Sequence, residues 1–372
     1  SVANSERIRE VKKIIGSEPL PVVIVVSALQ GVTDTLKSLS ESAAAHDPGY
    51  STRLDELIVR HRTVCSELLS GDLLDATLSR IGEIFGELGE TLNGLYLLRE
   101  LSMYSLDKAL SAGERASSAI ISAFLENSIL LDSREIIRTD KNFGNANVDF
   151  AVTNPLIRKR ILRKNKLIVV PGFIAGTEAN ETTTLGRGGS DYTAAIIAAA
   201  INADRLEIWT DTDGFMTADP RKVEKAYAIE SLTYSEAIEL SHFGAKVIYT
   251  PTLRPVYKKT IPVMILNSYN PGARGTLISN KPSNGSRSPI KGISSIDHID
   301  LITLQGPSMV GISGTSMRLF GSLAKRNVSI VLITQASSEY SITFAVNPPD
   351  SKKAVEAINQ EFEREINFRK EL

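Results

Sequence analysis

A single cysteine, Cys65, stands in the 372 residues, so no intrachain disulfide can form and nothing marks the chain for an oxidising compartment. Histidine is scarce too. His46, His61, His242 and His298 are scattered without ligand spacing, which argues against a histidine-built zinc centre, and no resident metal is expected. No apolar run approaches the roughly 20 residues that a bilayer-spanning helix needs. Residues 1–9 are polar and lack the apolar stretch of a secretory signal. Net charge is nearly absent, because 42 Lys and Arg stand against 43 Asp and Glu. That balance gives no electrostatic case for nucleic acid or an anionic membrane as partner. The expectation is a soluble protein of the cytoplasm, or of a plastid if a targeting peptide has been removed. Among catalytic signatures, Gly-x-x-x-x-Gly-Lys-[Ser/Thr] is missing, so this is not a P-loop enzyme. Gly-x-Ser-x-Gly and any telling Cys/His pair are missing as well, which leaves covalent hydrolase chemistry unsupported.

What is present is ordinary globular material, 42% apolar and 23% charged, in a chain long enough for two domains. The run from Val22 to Val26 is β-branched throughout and reads as a strand buried on both faces, as do 129–131, 167–171 and 206–209. Helical periodicity appears at 53–69, 75–101, 112–127, 191–202 and 235–247. Strands separated by helices predict an α/β domain over residues 1–280, with a mostly parallel sheet between helices. Turn-formers without periodicity at 281–289 predict a linker. From 290 to 372 the rhythm changes to a strand at 299–304, a helix at 315–326, strands at 329–334 and 340–346, and a helix at 352–365. That βαββα order predicts a small α+β domain with an antiparallel sheet.

The strongest local signal is Leu185-Gly-Arg-Gly-Gly-Ser-Asp191, followed directly by a helix rich in small residues. Gly188 and Gly189 let backbone N–H groups approach a ligand, Ser190 is a candidate N-cap, and a helix N-terminus suits a phosphate or carboxylate. Arg187 can grip a carboxylate through two parallel hydrogen bonds. The alternative is a glycine turn that merely starts a helix. A second cluster, Trp209-Thr-Asp-Thr-Asp-Gly-Phe-Met-Thr-Ala-Asp-Pro-Arg221, begins where a parallel strand ends, the edge at which such sheets bind ligands. Asp211, Asp213 and Asp219 beside Arg221 fit either a Mg-nucleotide site or a polar turn whose aspartates cap backbone N–H groups. Asp-x-Asp-Gly also opens a calcium loop, but the glutamate required farther on is missing. In Ala112-Gly-Glu-Arg-Ala-Ser-Ser118, Glu114 is expected near a helix start, where it receives an ammonium or complements the helix dipole. Lys246, in Phe243-Gly-Ala-Lys-Val247, reaches a nucleotide or complements a helix C-terminus.

Taken in order, these segments resemble the aspartokinase family. The resemblance rests on Ser1-Val-Ala-Asn-Ser-Glu-Arg7, Val25-Val-Ser-Ala28 with Thr33, Gly113-Glu-Arg-Ala-Ser117, and the segments 185–191, 209–221 and 243–247. Leu332-Ile-Thr-Gln-Ala-Ser-Ser-Glu-Tyr-Ser341 resembles the kinase portion of bifunctional aspartokinase–homoserine dehydrogenases. The family implies an amino-acid-kinase fold followed by an ACT-type regulatory region, and transfer of a phosphoryl group from ATP, with Mg2+, to L-aspartate. Carried over, Arg187 binds the substrate α-carboxylate and Glu114 its ammonium. Ser27 and Thr33 lie beside the substrate, and Gly189, Ser190 and Asp191 complete the pocket, with Asp191, Arg187 and Glu114 expected to be catalytic. Thr210, Asp211, Met216, Asp219, Arg221, Lys246 and Val247 are expected at the nucleotide. Gln335, Ser337, Ser338 and Glu339, read as a polar bend after a strand, are expected near an effector pocket, for threonine ahead of lysine. A homodimer or higher homo-oligomer is implied.

The departures are specific. The family signature begins Lys-Phe-Gly-Gly-Thr before the Ser1-Val2 pair, so the first strand, a phosphate-binding turn and a lysine are expected to be missing, with a large loss of rate. Met216 stands where the family often has Tyr, and Tyr249-Thr-Pro-Thr252 replaces a more usual His-Pro-Arg-Thr. Of two ACT units, the second is represented at most by 290–296. Two rival readings are a kinase of another amino acid and a non-catalytic amino-acid-binding module.

Overall fold

The computed structural model describes residues 2–162, 166–242, 247–281, 290–306, 309, 311–335 and 340–368. The chain divides into two compact units, Ser1–Ser294 and Ser295–Leu372. Most of the turn-rich stretch expected as a linker, 282–289, lies outside the described residues. Residues 290–294 pack with the first unit although the sequence rhythm changes before them. The Ile293 N–H donates to the Thr217 carbonyl at 2.8 Å, and Lys291 pairs with Glu236 at 2.9 Å.

The first unit opens with α1 (Ser5–Gly16), whose N-cap Asn4 accepts from the Arg7 N–H. There follow β1 (Val23–Val26), α2 (Val32–Ala44), α3 (Tyr50–Leu68), α4 (Gly71–Leu98), α5 (Met103–Phe124), β2 (Ile129–Leu130), the short α6 (Ser133–Ile136), α7 (Phe150–Ile161) and β3 (Ile168–Pro171). The three strands pair in parallel in the order β1-β3-β2. Every residue of the central β3 is buried, which is why 167–171 reads as a continuous apolar run. Helix α4 buries Ile81, Ile84, Phe85, Leu88, Leu92 and Leu95, the three-to-four spacing of an amphipathic helix. Helix α5 is buried on most of its surface, and its small residues allow close packing. A Cβ on Gly113 would lie 2.9 Å from Ala28 Cβ and 3.1 Å from Val32 Cγ1, so only glycine lets α5 approach the turn after β1 so closely.

The chain continues through the antiparallel hairpin β4 (Ile174–Gly176) and β5 (Thr182–Thr184), then α8 (Gly189–Ile201), β6 (Leu206–Thr210), β7 (Ser231–Thr233), α9 (Tyr234–His242), a 3-10 turn at Thr250–Leu253, α10 (Arg254–Lys259), β8 (Val263–Asn267) and β9 (Thr276–Ser279). These last strands form a second sheet, β6-β8-β9-β7, with β6 and β8 parallel. Helix α8 serves two cores. Ala195 and Ala198 pack with the second sheet, while Ile196, Ile197 and Ala200 pack with β3 and α7. Its N-terminus is thereby fixed relative to both.

The second unit runs β10 (Asp300–Gln305), α11 (Thr315–Lys325), β11 (Ile330–Gln335), β12 (Ser341–Val346), α12 (Pro348–Glu361) and α13 (Glu363–Phe368), the expected βαββα order with its last helix broken at Phe362. The sheet is antiparallel, β10-β12-β11. Leu319 and Leu323 of α11 and Ala354 and Ile358 of α12 form one core with Ile342, Phe344 and Val346 of β12.

Candidate active site

Parallel pairing brings the carboxyl ends of β1, β2 and β3 to one edge, where open α/β sheets bind ligands. The first side chain there is Glu114. It lies in the middle of α5, not near a helix start, so complementing a helix dipole is not its role. Its Oε1 accepts from the Ala28 N–H at 3.3 Å, while Oε2 is buried without a partner. With 3% of its surface exposed, burial pushes its carboxyl up to about 8. One turn on, the Ser117 hydroxyl donates to the Ser27 carbonyl at 2.7 Å, tying α5 to the end of β1. Ser27 itself is exposed. Thr33 is the second residue of α2, whose N-cap Gly31 is in the left-handed region (φ 79°).

The glycine-rich segment closes the same edge. A Cβ on Gly172, directly after β3, would come within 2.7 Å of Ser190 Cβ, and one on Gly189 within 2.7 Å of the Phe173 ring. Helix α8 is capped by Gly188 (φ 66°), which replaces Ser190 in that role; Ser190 is the second helical residue and faces the end of β3. The Thr193 hydroxyl donates to the Gly189 carbonyl at 2.9 Å and accepts from the Phe173 N–H at 3.1 Å. Phe173 holds φ 64°, a conformation costly for a bulky side chain and characteristic of functional edges. Asp191 sits in the first turn of α8, and burial raises its carboxyl to about 6. Arg187 is exposed at the tip of the loop. Arg115, the neighbour of Glu114, is occupied elsewhere, holding both oxygens of Glu87 on α4 at 2.6 and 3.3 Å.

The second cluster gathers at the ends of β6 and β8. The Thr210 carbonyl accepts from the Ser268 N–H at 2.9 Å and the Ser268 hydroxyl at 3.0 Å. Asp211 is exposed and accepts from the Thr210 hydroxyl at 3.1 Å. Asp213 Oδ1 accepts from the Asn267 and Asn270 amides at 2.7 and 3.3 Å. Asp219 takes the Arg221 guanidinium at 2.8 and 3.0 Å and its N–H at 2.9 Å, and these contacts pull its carboxyl down to about 2. Met216 is half-buried and bridged to Ala228. Val247 follows α9, while Lys246 lies outside the described residues. From α1, Arg7 donates to the Ser268 carbonyl and stacks 3.8 Å above the Tyr269 ring, a contact the sequence motifs did not single out.

Gln335 is the last residue of β11, paired with Ile342, and does not follow the strand. Ser337, Ser338 and Glu339 lie outside the described residues. Among the described residues no group of three or more His, Cys, Asp or Glu side chains is placed to hold a metal ion, and no helix is long and apolar enough to cross a membrane. One buried carboxylate escaped sequence reasoning altogether. Asp107 of α5 accepts from the N–H groups of Gly144 and Thr184 and from the Thr184 hydroxyl, all within 2.9 Å.

Comparison with known proteins bears on the family and the fold. The amino acid kinase family pattern matches residues 1–267, and an ACT domain pattern matches residues 302–362. The chain is 34% identical to bifunctional aspartokinase/homoserine dehydrogenase 1, chloroplastic, of Arabidopsis thaliana, over 98% of this chain and 41% of that protein. It is 33% identical to lysine-sensitive aspartokinase 3 of Escherichia coli, over 94% of this chain and 77% of that one. The crystal structure of E. coli aspartokinase III with aspartate and ADP superposes with a TM-score of 0.79 at 30% identity, covering 93% of this chain and 76% of that one. The chain spans about two fifths of the length of the first curated relatives it matches. It belongs to the amino acid kinase family, among the aspartokinases, with an ACT domain following the kinase domain.

Proposed function

We propose that the chain transfers the γ-phosphoryl group of ATP to the side-chain carboxylate of L-aspartate, opening the aspartate-derived route to lysine, threonine and methionine. The observation that carries this reading is the buried Glu114 carboxyl, one oxygen of which accepts from the Ala28 N–H just after β1 while the other has no partner. An amino-acid ammonium supplies the missing partner and ionises the group. Arg187 then takes the α-carboxylate in a charge-assisted fork. Ser27, Thr33, Gly189 and Ser190 line the remainder, and the N-terminal N–H groups of α8 favour negative charge at that end. The attacking carboxylate is ionised near pH 7, so it needs no strong general base. Alignment and neutralisation of charge on the moving phosphoryl group are the main tasks, with Asp191 beside the reacting carboxylate.

Thr210, Asp211, Met216, Asp219, Arg221, Lys246 and Val247 form the proposed nucleotide face. Mg2+ binds through substrate phosphates and one or two carboxylates rather than a full protein cage. Asp211, exposed at the end of β6, fits that demand and is the proposed protein ligand. When bound, the ion neutralises charge on the phosphates. We assign the second unit to amino-acid sensing, with Gln335, Ser337, Ser338 and Glu339 at the effector and threonine as the first candidate. Lysine is the competing effector, because the E. coli relative is named lysine-sensitive. Assembly as a homodimer or larger homo-oligomer is part of the proposal.

The test is aspartate-dependent ADP release by this chain, with and without threonine or lysine, beside an Arg187→Ala control. Turnover that requires aspartate and disappears in the control supports the assignment. Calorimetric threonine binding without turnover would favour a sensing module, and turnover on another amino acid would redirect the substrate.

A further inference from the structure

We infer that Asp107 is a positioning residue that fixes the distance between Glu114 and the Arg187 loop; this rests on the aspartate site proposed above. Asp107 is fully buried. Its Oδ2 accepts from the Gly144 N–H at 2.8 Å and the Thr184 N–H at 2.9 Å, and its Oδ1 accepts from the Thr184 hydroxyl at 2.7 Å. Thr184 ends β5 and leads directly into Leu185-Gly186-Arg187. Its carbonyl accepts from the Ala146 N–H at 2.9 Å, and a Cβ on Gly186 would lie 2.5 Å from Asn145 Oδ1. The segment 144–146 and the stem of the Arg187 loop are therefore clamped together, with Asp107 holding both.

The same helix carries Glu114. Residues 107 and 114 are seven apart, two turns of α5, and share a face about 10 Å apart along the axis. One rigid element thus bears the group proposed for the substrate ammonium and the anchor of the loop proposed for its carboxylate. A buried carboxylate meeting only neutral donors is costly to keep. An apolar residue would fill the space but leave the buried Thr184 N–H unpaired and the half-buried Gly144 N–H without its acceptor. The acceptor pair at this one position gives the loop a single height above the sheet edge.

The test uses the whole chain with Asp107→Ala, Asp107→Asn and Thr184→Val. The amide of Asp107→Asn can still accept from both N–H groups through its oxygen and donate its NH2 to the Thr184 hydroxyl, so it is the rescuing variant. Arg187 is exposed, and the rate of trypsin cleavage after it reports loop order without any ligand. Calorimetry gives Kd for aspartate and for ADP separately. The expected result for Asp107→Ala is cleavage at least tenfold faster, aspartate binding at least tenfold weaker and ADP binding within twofold of the original. Thr184→Val should show about a threefold effect in the same two readouts, and Asp107→Asn should stay near the original. Unchanged cleavage in Asp107→Ala and Thr184→Val overturns the inference. So does parallel weakening of aspartate and ADP with a falling Tm, which would mark Asp107 as a general stabiliser. If the original chain binds no aspartate, the substrate assignment fails, and the cleavage rates still decide whether Asp107 holds the loop.

Discussion

The two strand-end clusters of the kinase unit treat their carboxylates in opposite ways. At the edge of β1 and β3, burial holds Glu114 up to about 8 and Asp191 up to about 6, and one Glu114 oxygen has no partner. At the edge of β6 and β8, Asp211 is exposed, Asp213 is held by two asparagines, and Asp219 is pulled down to about 2 by Arg221. The first cluster stores an electrostatic imbalance that a ligand with its own ammonium and carboxylates relieves. In the second the carboxylates are already partnered or solvated, and the buried atoms left without a partner, Thr212 Oγ1 and Arg7 Nε, belong to uncharged or cationic side chains. That contrast is the basis for proposing a free amino acid at the first and a magnesium nucleotide at the second.

The largest expected effect separates the two directly. Arg187→Ala should lower kcat/KM for aspartate by roughly 10²–10³, the cost of losing a charge-assisted fork on the substrate. Its Kd for ADP should stay within about twofold. Arg221→Ala should do the converse, with a smaller loss of about tenfold in ADP affinity. Parallel losses for both ligands in either variant would erase the distinction between the clusters.

Glu114→Gln sharpens the electrostatic half of the comparison. The folded carboxyl holds its proton to about pH 8, whereas the unfolded one releases it near 4.5. Because the folded pKa is raised, this contribution to stability is complete below about pH 4.5 and is lost as pH rises through about 8. The Gln variant should match the original chain at pH 4 and exceed it at pH 9, by on the order of a few kcal/mol in chemical denaturation. Aspartate binding at pH 7 should release close to one proton from the original chain and none from the variant. Calorimetry in buffers of different ionisation enthalpy measures that, and equal proton release in both would remove Glu114 from the ammonium site.

The sequence made some of this legible and hid the rest for identifiable reasons. Strand β3 announces itself because both its faces are covered and every residue is buried, whereas in β1 only Val26 is fully buried and its first three residues are half-buried. The glycine-rich segment at 185–191 was readable because the left-handed conformations at Gly186 and Gly188 favour glycine. Ser190 looked like a cap only because serine commonly is one; with Gly188 already in the left-handed region, the helix begins two residues earlier, at Gly189. Glu114 was found by its motif and misplaced along α5, since a helix of small buried residues carries no polar stripe to show where it starts. Hairpin β4–β5 passed unnoticed because Thr182–Thr184 is short, polar and wholly buried. Asp107 had no signal at all. Its partners stand 37 and 77 residues away, and a lone aspartate in a helix reads as solvated.

His61 shows what the same burial does to a base. Its Nδ1 lies 2.8 Å from the Leu57 carbonyl, Nε2 has no partner, and burial lowers the imidazole to about 4. Here the unfolded chain binds the proton first, near pH 6.5, so stability is complete above that pH and falls as pH drops toward 4. The loss should be on the order of 3 kcal/mol or less, opposite in slope to that of Glu114. His61→Leu should flatten the acid limb between pH 6.5 and 4 while leaving the limb above pH 7 intact. An unchanged acid limb would assign the lability to another group.

Asp213→Ala should give the smallest effect, and its size follows from how far the Asp213 carboxylate, at the proposed nucleotide face, is already open to water. The variant removes the acceptor of two asparagine amides, but the carboxylate is half-exposed, so water can replace it. A solvated hydrogen bond of this kind contributes about 1 kcal/mol, which lowers Tm by about 2 °C in a chain of this size. The end of β6 should loosen against Asn267 and weaken ADP binding by about threefold, with the Kd for aspartate unchanged. A loss of tenfold or more in ADP affinity would mean that Asp213 touches the nucleotide or its cation directly. In that case the cluster at β6 and β8 would hold an unbalanced charge of its own, as the cluster at β1 and β3 does.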